Sequence, residues 1–400
     1  MTDFSEYFTP VDLHKIKEGE KFRPNSIGSV MEIYSEKEMF PDIQETHLAL
    51  IGVEEERKNV YNAGTKHAPD EVRKYLYELS TSNLPFAKNK CKAKITDFGN
   101  IVAGDRIEDT YFALQDVVNR LLRVNIIPVI IGGSQDLTFP QYLGYKEVEA
   151  TINIVSIDPG FDLGQADDEF SSKTWLGKII LHQPNHLFNF SNIGFQSYFV
   201  DQRMVDLMNK LHFDAYRLGM VQKNIEEVEP IVRNADLVTF DMSAIRYSDA
   251  PGCGNATPNG FFGNEACAIT RYAGLSDKVT SIGIYELNPK SDKRGVTAHL
   301  AAQMIWYFME GYYIRKKDFP FKKTTDYTKY RVFIKDLKHE IVFYKSKKSD
   351  RWWMEVPYPA DKRLKFERHL VVPCSYDDYK VATKSEELPD RWWLTQQKLS

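Results

Sequence analysis

Eight short runs of apolar, largely β-branched residues recur along this 400-residue chain, spaced so that a helix fits between successive runs. Runs of roughly four to eight such residues are typical of β-strands. Several, such as 128–131 and 152–157, carry apolar residues on both faces, which indicates parallel strands covered by helices on both sides of a sheet. The predicted strands are 47–53, 94–101, 126–131, 152–157, 197–201, 215–220, 237–241 and 279–285.

Helical periodicity lies between these runs. Apolar residues recur at helical spacing in 109–124 and 297–314, and segment 70–80 opens with acidic residues suited to a helix N-terminus. The alternation predicts a three-layer α/β fold around a parallel sheet of about eight strands. Ligands bind beyond the carboxyl ends of the strands in such sheets, so a functional site is expected there.

The composition changes after about Lys316. Two short alternating runs, 330–334 and 340–344, precede two tryptophan pairs, Trp352-Trp353 and Trp392-Trp393. We therefore predict an α/β unit over 1–317, with an N-terminal lead-in, and a β-containing extension over 318–400 that packs on it. The four tryptophans are candidates for an interaction surface, because tryptophan is enriched at interface hot spots. Packing within the chain explains each of them equally well.

The charge balance excludes several classes of partner. A net charge of -4 and a pI near 6.2 favour neither nucleic acid nor an anionic membrane surface. The first residues do not resemble a secretory signal, and no stretch approaches the ~20 apolar residues that span a bilayer. The cysteines are scattered, without a C-x-x-C pair. A cytoplasmic protein that does not span a membrane is expected.

Three segments stand at the carboxyl ends of predicted strands. They read GGSQD (132–136), DPGFD (158–162) and FDMS (240–243). Each resembles a metal-binding motif of the ureohydrolase family, which includes arginase, agmatinase and formimidoylglutamase. Those motifs run G-G-x-H-[D/E], D-A-H-x-D and S-x-D-x-D. Further resemblance lies in IGV (51–53), NAG (62–64), APDEVR (68–73) and YELNP (285–289), so an arginase-like fold is implied for residues 45–315.

The resemblance implies a site for two manganese ions held by two His and four Asp. In this chain Gln135 and Gly160 stand at the His positions and Ser243 at one Asp position. Asp158, Asp162 and Asp241 remain, and the family pattern makes Asp158 and Asp241 the bridging ligands. Glu286 lies in the E-x-N-P segment, where the family glutamate faces the guanidinium or formimidoyl end of the substrate.

These substitutions lead us to predict that no dinuclear manganese centre forms and that a cofactor is absent. The residual oxygen ligands, Gln135 with the three aspartates, suit at most one magnesium or calcium ion. Alternatively, the three aspartates bind no ion, and instead cap loops or pair with Arg246 or Lys173.

Two functions follow from this pattern. The first is a non-catalytic ureohydrolase-like protein that binds a protein partner, another copy of itself or a small ligand. The second is an active hydrolase that cleaves a C–N bond of a guanidino or formimidoyl compound. The retained Glu286 favours the second function, while the loss of ligands at Gln135, Gly160 and Ser243 favours the first.

Overall fold

The computed structural model describes residues 5–17, 21–81, 84, 94–149, 151–165, 167–320, 324–335, 338–359 and 366–399. Within these ranges the chain forms a large, mostly parallel sheet of ten strands and a smaller antiparallel sheet of four. The strands of the large sheet are β1 (Phe8–Thr9), β2 (Glu32–Ile33), β3 (Thr46–Val53), β4 (Lys94–Ile101), β5 (Ile127–Ile131), β6 (Ile152–Ile157), β7 (Leu187–Phe195), β8 (Asp214–Arg217), β9 (Leu237–Asp241) and β10 (Ser281–Tyr285). The predicted parallel α/β architecture is confirmed.

The order of the strands places four of them at the centre of the sheet. The sequence of neighbours is β1-β4-β3-β5-β10-β9-β6-β7-β8, with β2 also paired to β4. All pairings in this sheet are parallel except the one between β1 and β4. The carboxyl ends of β5, β10, β9 and β6 therefore lie side by side at one edge.

Helices cover both faces of the large sheet. They are α1 (Leu13–Ile16), α2 (Ile27–Val30), α3 (Ala68–Leu76), α4 (Ile107–Arg123), α5 (Thr138–Leu143), α6 (Trp175–Leu181), α7 (Gln202–Lys210), α8 (Leu218–Lys223), α9 (Val228–Arg233), α10 (Gly263–Leu275) and α11 (Val296–Tyr313). Along β3, Leu48 and Leu50 join the core with α3 and α11, whereas Ala49 and Ile51 join the core with α4. Successive residues of β3 thus pack into two separate cores, as a three-layer fold requires.

The predicted strand 197–201 is wrong. Residues 197–199 are exposed and lie in a turn, and the strand is β7, which begins ten residues earlier. Apolar residues such as Tyr198 and Phe199 gave the turn the appearance of a strand, although both are exposed. The other predicted strands agree with the structure to within a few residues at each end.

The smaller sheet lies in the last fifth of the chain. It consists of β11 (Tyr327–Ile334), β12 (His339–Ser346), β13 (Trp352–Glu355) and β14 (Val371–Cys374), followed by α12 (Tyr376–Lys380) and α13 (Asp390–Leu399). Its own apolar core includes Ile341, Phe343 and Met354. Arg233 on α9 joins it to the large sheet, because its guanidinium lies 4.3 Å from the centre of the Trp353 ring. None of the helices that the structure describes is long and apolar enough to cross a membrane.

Candidate functional site

Three carboxylates meet at the carboxyl edge of the large sheet. Asp241 is the last residue of β9, Asp158 directly follows the neighbouring β6, and Asp162 lies four residues further on. One oxygen from each carboxylate lies within 4.8 Å of the other two, and all three residues are buried. The structure therefore brings together the three aspartates that the sequence singled out, in an arrangement able to hold a metal ion.

Each aspartate also accepts a hydrogen bond that orients it. The backbone N–H of Gly160 donates to Asp158 Oδ1 (2.8 Å), and that of Ser243 donates to Asp241 Oδ1 (2.7 Å). Trp175 Nε1 donates to Asp162 Oδ2 (3.1 Å). Asp158 Oδ2 has no hydrogen-bond partner among the residues that the structure describes. The carboxylates are thus fixed by local donors and still present oxygen atoms to the cluster.

Lys173 supplies the positive charge nearest to the cluster. Its Nζ lies 3.2 Å from Asp241 Oδ2 and 3.5 Å from Asp162 Oδ1. Arg246, the other cation considered from the sequence, pairs instead with Asp249 and stacks on Phe262. Lys173 is therefore the cation that pairs with these aspartates.

Burial and mutual repulsion perturb the acidity of these groups. Burial, together with the charge of Asp162, raises the pKa of Asp158 well above its usual range. Burial also raises the pKa of Asp162. Burial alone would lower the pKa of Lys173, but the nearby Asp162 and Asp241 outweigh it and raise that pKa. The cluster consequently favours a bound positive charge.

The three substituted positions lie beside this cluster in different ways. The side-chain amide of Gln135 and the hydroxyl of Ser243 are buried, and neither has a hydrogen-bond partner within the described part of the chain. Gly160 leaves open space, because a Cβ built there would meet only Asp158 Oδ1 at 3.7 Å and Asp162 Oδ1 at 3.9 Å. Oxygen atoms without partners and unfilled space are features of a site that takes a further group.

Glu286 stands directly after β10 and belongs to the same edge. Asn59 Nδ2 and Asn62 Nδ2 donate to its Oε2 at 2.8 and 3.0 Å, and the backbone N–H of Gln135 donates to Oε1 at 2.9 Å. Burial and the charge of Asp241 raise the pKa of Glu286 to about 7. Asn59 was not identified from the sequence, whereas Asn62 lies in the NAG segment that resembles the family.

Backbone strain coincides with two of these acids. Asp162 has φ = 49° and Glu286 has φ = 67°, in the left-handed region that non-glycine residues rarely adopt. Such a conformation costs roughly 1–3 kcal/mol and is concentrated at functional sites. Aspartate adopts this region more often than most residues, whereas glutamate does not, so the sequence offered no signal at Glu286.

A cavity of about 520 Å³ adjoins the cluster. Gly160, Asp162 and Lys173 line it, together with the aromatic residues Tyr61 and Phe199. Its size is within the range of small-molecule sites, which is about 300–1,000 Å³. A small polar ligand in this cavity would face Asp162 and Lys173.

The four C-terminal tryptophans do not line this cavity. Trp352, Trp353 and Trp392 are buried, and Trp392 Nε1 donates to the Glu355 carbonyl (2.9 Å). Trp393 is 52% exposed. Three of the four interaction candidates thus pack inside the chain, which leaves Trp393 as the exposed member.

The sequence matches a known family over most of these elements. The model of the arginase family matches residues 46–310, about two thirds of the chain. The chain belongs to the arginase family. The matched region contains the three aspartates and Glu286 and ends within α11.

Curated relatives are similar to this chain in sequence, and solved structures are similar to it in fold. The chain is 31% identical over 258 residues to a formimidoylglutamase of Geobacillus kaustophilus, covering 62% of this chain and 77% of that one. A formimidoylglutamase of Streptococcus pyogenes is 25% identical, covering 66% and 84%. The fold is similar to Trypanosoma cruzi formiminoglutamase with Mn2+2, with a TM-score of 0.64 and 20% identity over 72% of this chain and 99% of that chain. It is also similar to formimidoylglutamase of Bacillus subtilis, with a TM-score of 0.66 and 19% identity over 75% and 96%.

The cofactor prediction is wrong in the light of these relatives. We expected no cofactor, no dinuclear manganese and at most one magnesium or calcium ion, but a solved formiminoglutamase of this fold carries two manganese ions. The prediction gave too much weight to the missing imidazoles. Manganese accepts carboxylate and carbonyl oxygen as readily as magnesium and calcium do. The three carboxylates, with the unpartnered oxygen of Gln135, fit a divalent cation of this kind.

Proposed function

We propose that this arginase-family protein hydrolyses a carbon–nitrogen bond of a small formimidoyl or guanidino compound. The observation that carries the proposal is the buried cluster of Asp158, Asp162 and Asp241 at the carboxyl edge of the central strands. The curated relatives named formimidoylglutamase support it and make a formimidoyl compound the first substrate class to test.

Asp158, Asp162 and Asp241 would hold the divalent cation. When bound, the cation would supply Lewis acidity and lower the pKa of water, so that hydrolysis could proceed near neutral pH. The chain's own contribution is to fix these carboxylates, through the Gly160 and Ser243 N–H groups and the Trp175 indole. The cavity beside Asp162 admits the substrate and its leaving group.

Glu286 would position the substrate. Its carboxylate can accept hydrogen bonds from the N–H groups of an amidinium. The positive charge of the amidinium then complements the negative charge of the Glu286 carboxylate. Asn59 and Asn62 hold the same carboxylate oxygen, so its direction is set before the substrate arrives. Preorganisation of this kind reduces the entropy lost on binding.

A non-catalytic protein is the second candidate, and two observations favour it. The Lys173 ammonium already neutralises part of the carboxylate charge, and Gly160 presents no side-chain ligand. Such a protein would act through a protein partner, a second copy or a small ligand. That mode of action and the cytoplasmic location stay predictions from the sequence.

A turnover assay separates the two candidates. The full-length protein is treated with chelator, dialysed against Mn²⁺, and assayed for formamide release from formiminoglutamate and for urea release from arginine and agmatine. A hydrolase shows turnover that the Asp241→Asn variant loses by at least about a hundredfold, because a metal ligand is removed. No turnover by folded, manganese-loaded protein on any of the three compounds contradicts the hydrolase proposal and leaves the second candidate.

A further inference from the structure

One cation of the chain itself lies inside the carboxylate cluster. The Lys173 ammonium contacts Asp241 at 3.2 Å and Asp162 at 3.5 Å, and both aspartates are buried. A single ammonium therefore faces three carboxyl groups. Among the described residues, Lys173 is the only Lys or Arg that pairs with any of the three aspartates.

The backbone of Lys173 is anchored, while its side chain borders open space. Lys173 N donates to Ser171 Oγ (3.3 Å), and the adjacent Ser172 N donates to the Lys58 carbonyl (3.2 Å). The side chain is 31% exposed and lines the 520 Å³ cavity. The four-carbon stem can therefore move its ammonium from the cluster into the cavity while the loop keeps its conformation.

We propose that the Lys173 ammonium is the resident cation of this cluster and that a divalent metal ion binds only by displacing it into the cavity. The inference rests on the proposed function, because it concerns regulation of the same site. Lys173 then competes with the metal ion for the carboxylates, and this competition sets the metal concentration that is needed to load the protein.

Electrostatics explains why the two cations exclude each other. A metal ion sits about 2.0–2.6 Å from carboxylate oxygens, and the ammonium contacts two of the same carboxylates at 3.2 and 3.5 Å. Two positive charges this close repel strongly in a buried site. The loss of the Lys173 ion pairs therefore offsets part of the free energy of metal binding. Removing the ammonium should raise the affinity for metal.

The first test measures Mn²⁺ binding by calorimetry on chelator-treated, full-length protein. Lys173→Met keeps most of the length of the side chain and removes the charge, and we expect it to bind Mn²⁺ at least about tenfold more tightly than the unmodified protein. Lys178→Met is the matched control, because Lys178 lies on α6 only five residues away and does not contact the cluster. Equal affinity in the unmodified protein and Lys173→Met, or no binding by either, overturns the inference.

The second test needs no variant, and it decides the matter if Lys173→Met does not fold. Acetylation of lysines by acetic anhydride is followed by mass spectrometry, with and without Mn²⁺. A displaced Lys173 should react several-fold faster in the presence of Mn²⁺, while Lys178 should not change. An unchanged rate for Lys173 at saturating Mn²⁺ overturns the inference.

The two proposals fail separately in these experiments. Turnover by manganese-loaded protein, with equal Mn²⁺ affinity in the Lys173→Met variant, removes the inference and leaves the hydrolase intact. Tighter Mn²⁺ binding by Lys173→Met, without turnover by either form, upholds the inference and removes the hydrolase.

Discussion

At the scale of single residues, Gly160 and Gly133 differ in how much free space surrounds them. A Cβ at Gly160 meets no atom closer than 3.7 Å, whereas a Cβ at Gly133 would lie 2.0 Å from the Glu55 carbonyl oxygen. Both glycines lie in segments that resemble metal-binding motifs. The close backbone approach gives Gly133 a packing role, while nothing in the packing requires glycine at position 160.

We expect Gly160→Ala to change the free energy of unfolding by less than about 0.5 kcal/mol and Gly133→Ala to lower it by at least about 2 kcal/mol, because only the latter overlaps with backbone. Urea unfolding followed by circular dichroism measures both. Gly160→His, which adds an imidazole beside Asp158 and Asp162, should also bind Mn²⁺ more tightly in calorimetry. Comparable destabilisation by the two alanine variants would contradict the geometry.

The raised pKa of Glu286 predicts how stability depends on pH. Its carboxyl titrates near 4.5 in the unfolded chain and at about 7 in the folded protein. Between these values the folded state binds more protons, so the free energy of unfolding falls as the pH rises from about 4.5 to 7. At 1.36 kcal/mol per pKa unit, this loss reaches about 3 kcal/mol.

Glu286→Gln should remove this dependence, because an amide does not titrate in this range. Relative to the unmodified protein, the variant should gain about 3 kcal/mol of stability between pH 5 and pH 8 in chelator-treated samples. Glu147→Gln is a suitable control, since the Glu147 side chain is 69% exposed. Parallel stability curves for Glu286→Gln and the unmodified protein would exclude the perturbed pKa.

At the scale of secondary-structure elements, α9 is one connection between the two sheets. Arg233 donates to the carbonyls of Trp352 (3.1 Å) on β13 and Cys374 (3.2 Å) on β14. Its guanidinium also covers the Trp353 ring and pairs with Glu229. One buried side chain on α9 therefore satisfies groups on two strands of the smaller sheet.

Arg233→Met should lower the free energy of unfolding by about 3 kcal/mol, because two buried carbonyls lose their donor and Glu229 loses a partner. Arg203→Met removes a salt bridge whose arginine side chain is 81% exposed, and we expect a change within about 0.5 kcal/mol. Chemical denaturation of both variants makes the comparison. An equally small effect at Arg233 would mean that the smaller sheet is held by other contacts.

The strands show how far the sequence could predict the fold. Strands β4, β6 and β9 were predicted with their observed bounds, because each carries several β-branched or aromatic apolar residues. Strand β7 was missed, because it contains Asn189, Ser191 and Asn192 in its buried core. Asn189 Nδ2 donates to Asp214 Oδ2 and Asn192 Nδ2 donates to the Gly160 carbonyl, both at 2.7 Å. Hydropathy cannot detect a strand whose polar side chains find their partners only in the folded protein.

The candidate site was predictable to a similar extent. The motifs and their positions after strands located Asp158, Asp162, Asp241 and Glu286 at one edge of the sheet. The sequence offered two cations for the aspartates, and only the folded loop before α6 distinguished Lys173 from Arg246. Contacts between residues that are distant along the chain depend on tertiary packing, which periodicity and motifs do not encode.

At the scale of the whole molecule, we propose that the segment after residue 317 is an extension packed on the α/β unit. Arg368 Nη2 lies 2.5 Å from Asp236 Oδ1, and His369 Nε2 lies 2.9 Å from Thr151 Oγ1. Both contacts link the end of the chain to the large sheet. Removing residues 318–400 should therefore expose buried groups and give insoluble protein, as measured by the soluble fraction after expression.

A point variant tests the interaction role of the same segment. Trp393→Ala leaves the buried tryptophans in place, so we expect the melting temperature to change by less than about 2 °C. Loss of a protein that co-purifies with the unmodified chain would support the interaction surface. A soluble truncated protein that keeps all its co-purifying proteins would contradict both the packing role and the interaction role.

The uneven placement of tryptophan has a spectroscopic consequence. Four of the six tryptophans lie between residues 352 and 393. Intrinsic fluorescence will therefore report mainly on the smaller sheet, whereas far-ultraviolet circular dichroism will report mainly on the helices around the larger one. If the guanidinium of Arg233 couples the two sheets into one cooperative unit, the two optical signals will change at the same denaturant concentration. Separate transitions would mean that the tryptophan fluorescence of this protein reports only the unfolding of the last fifth of the chain.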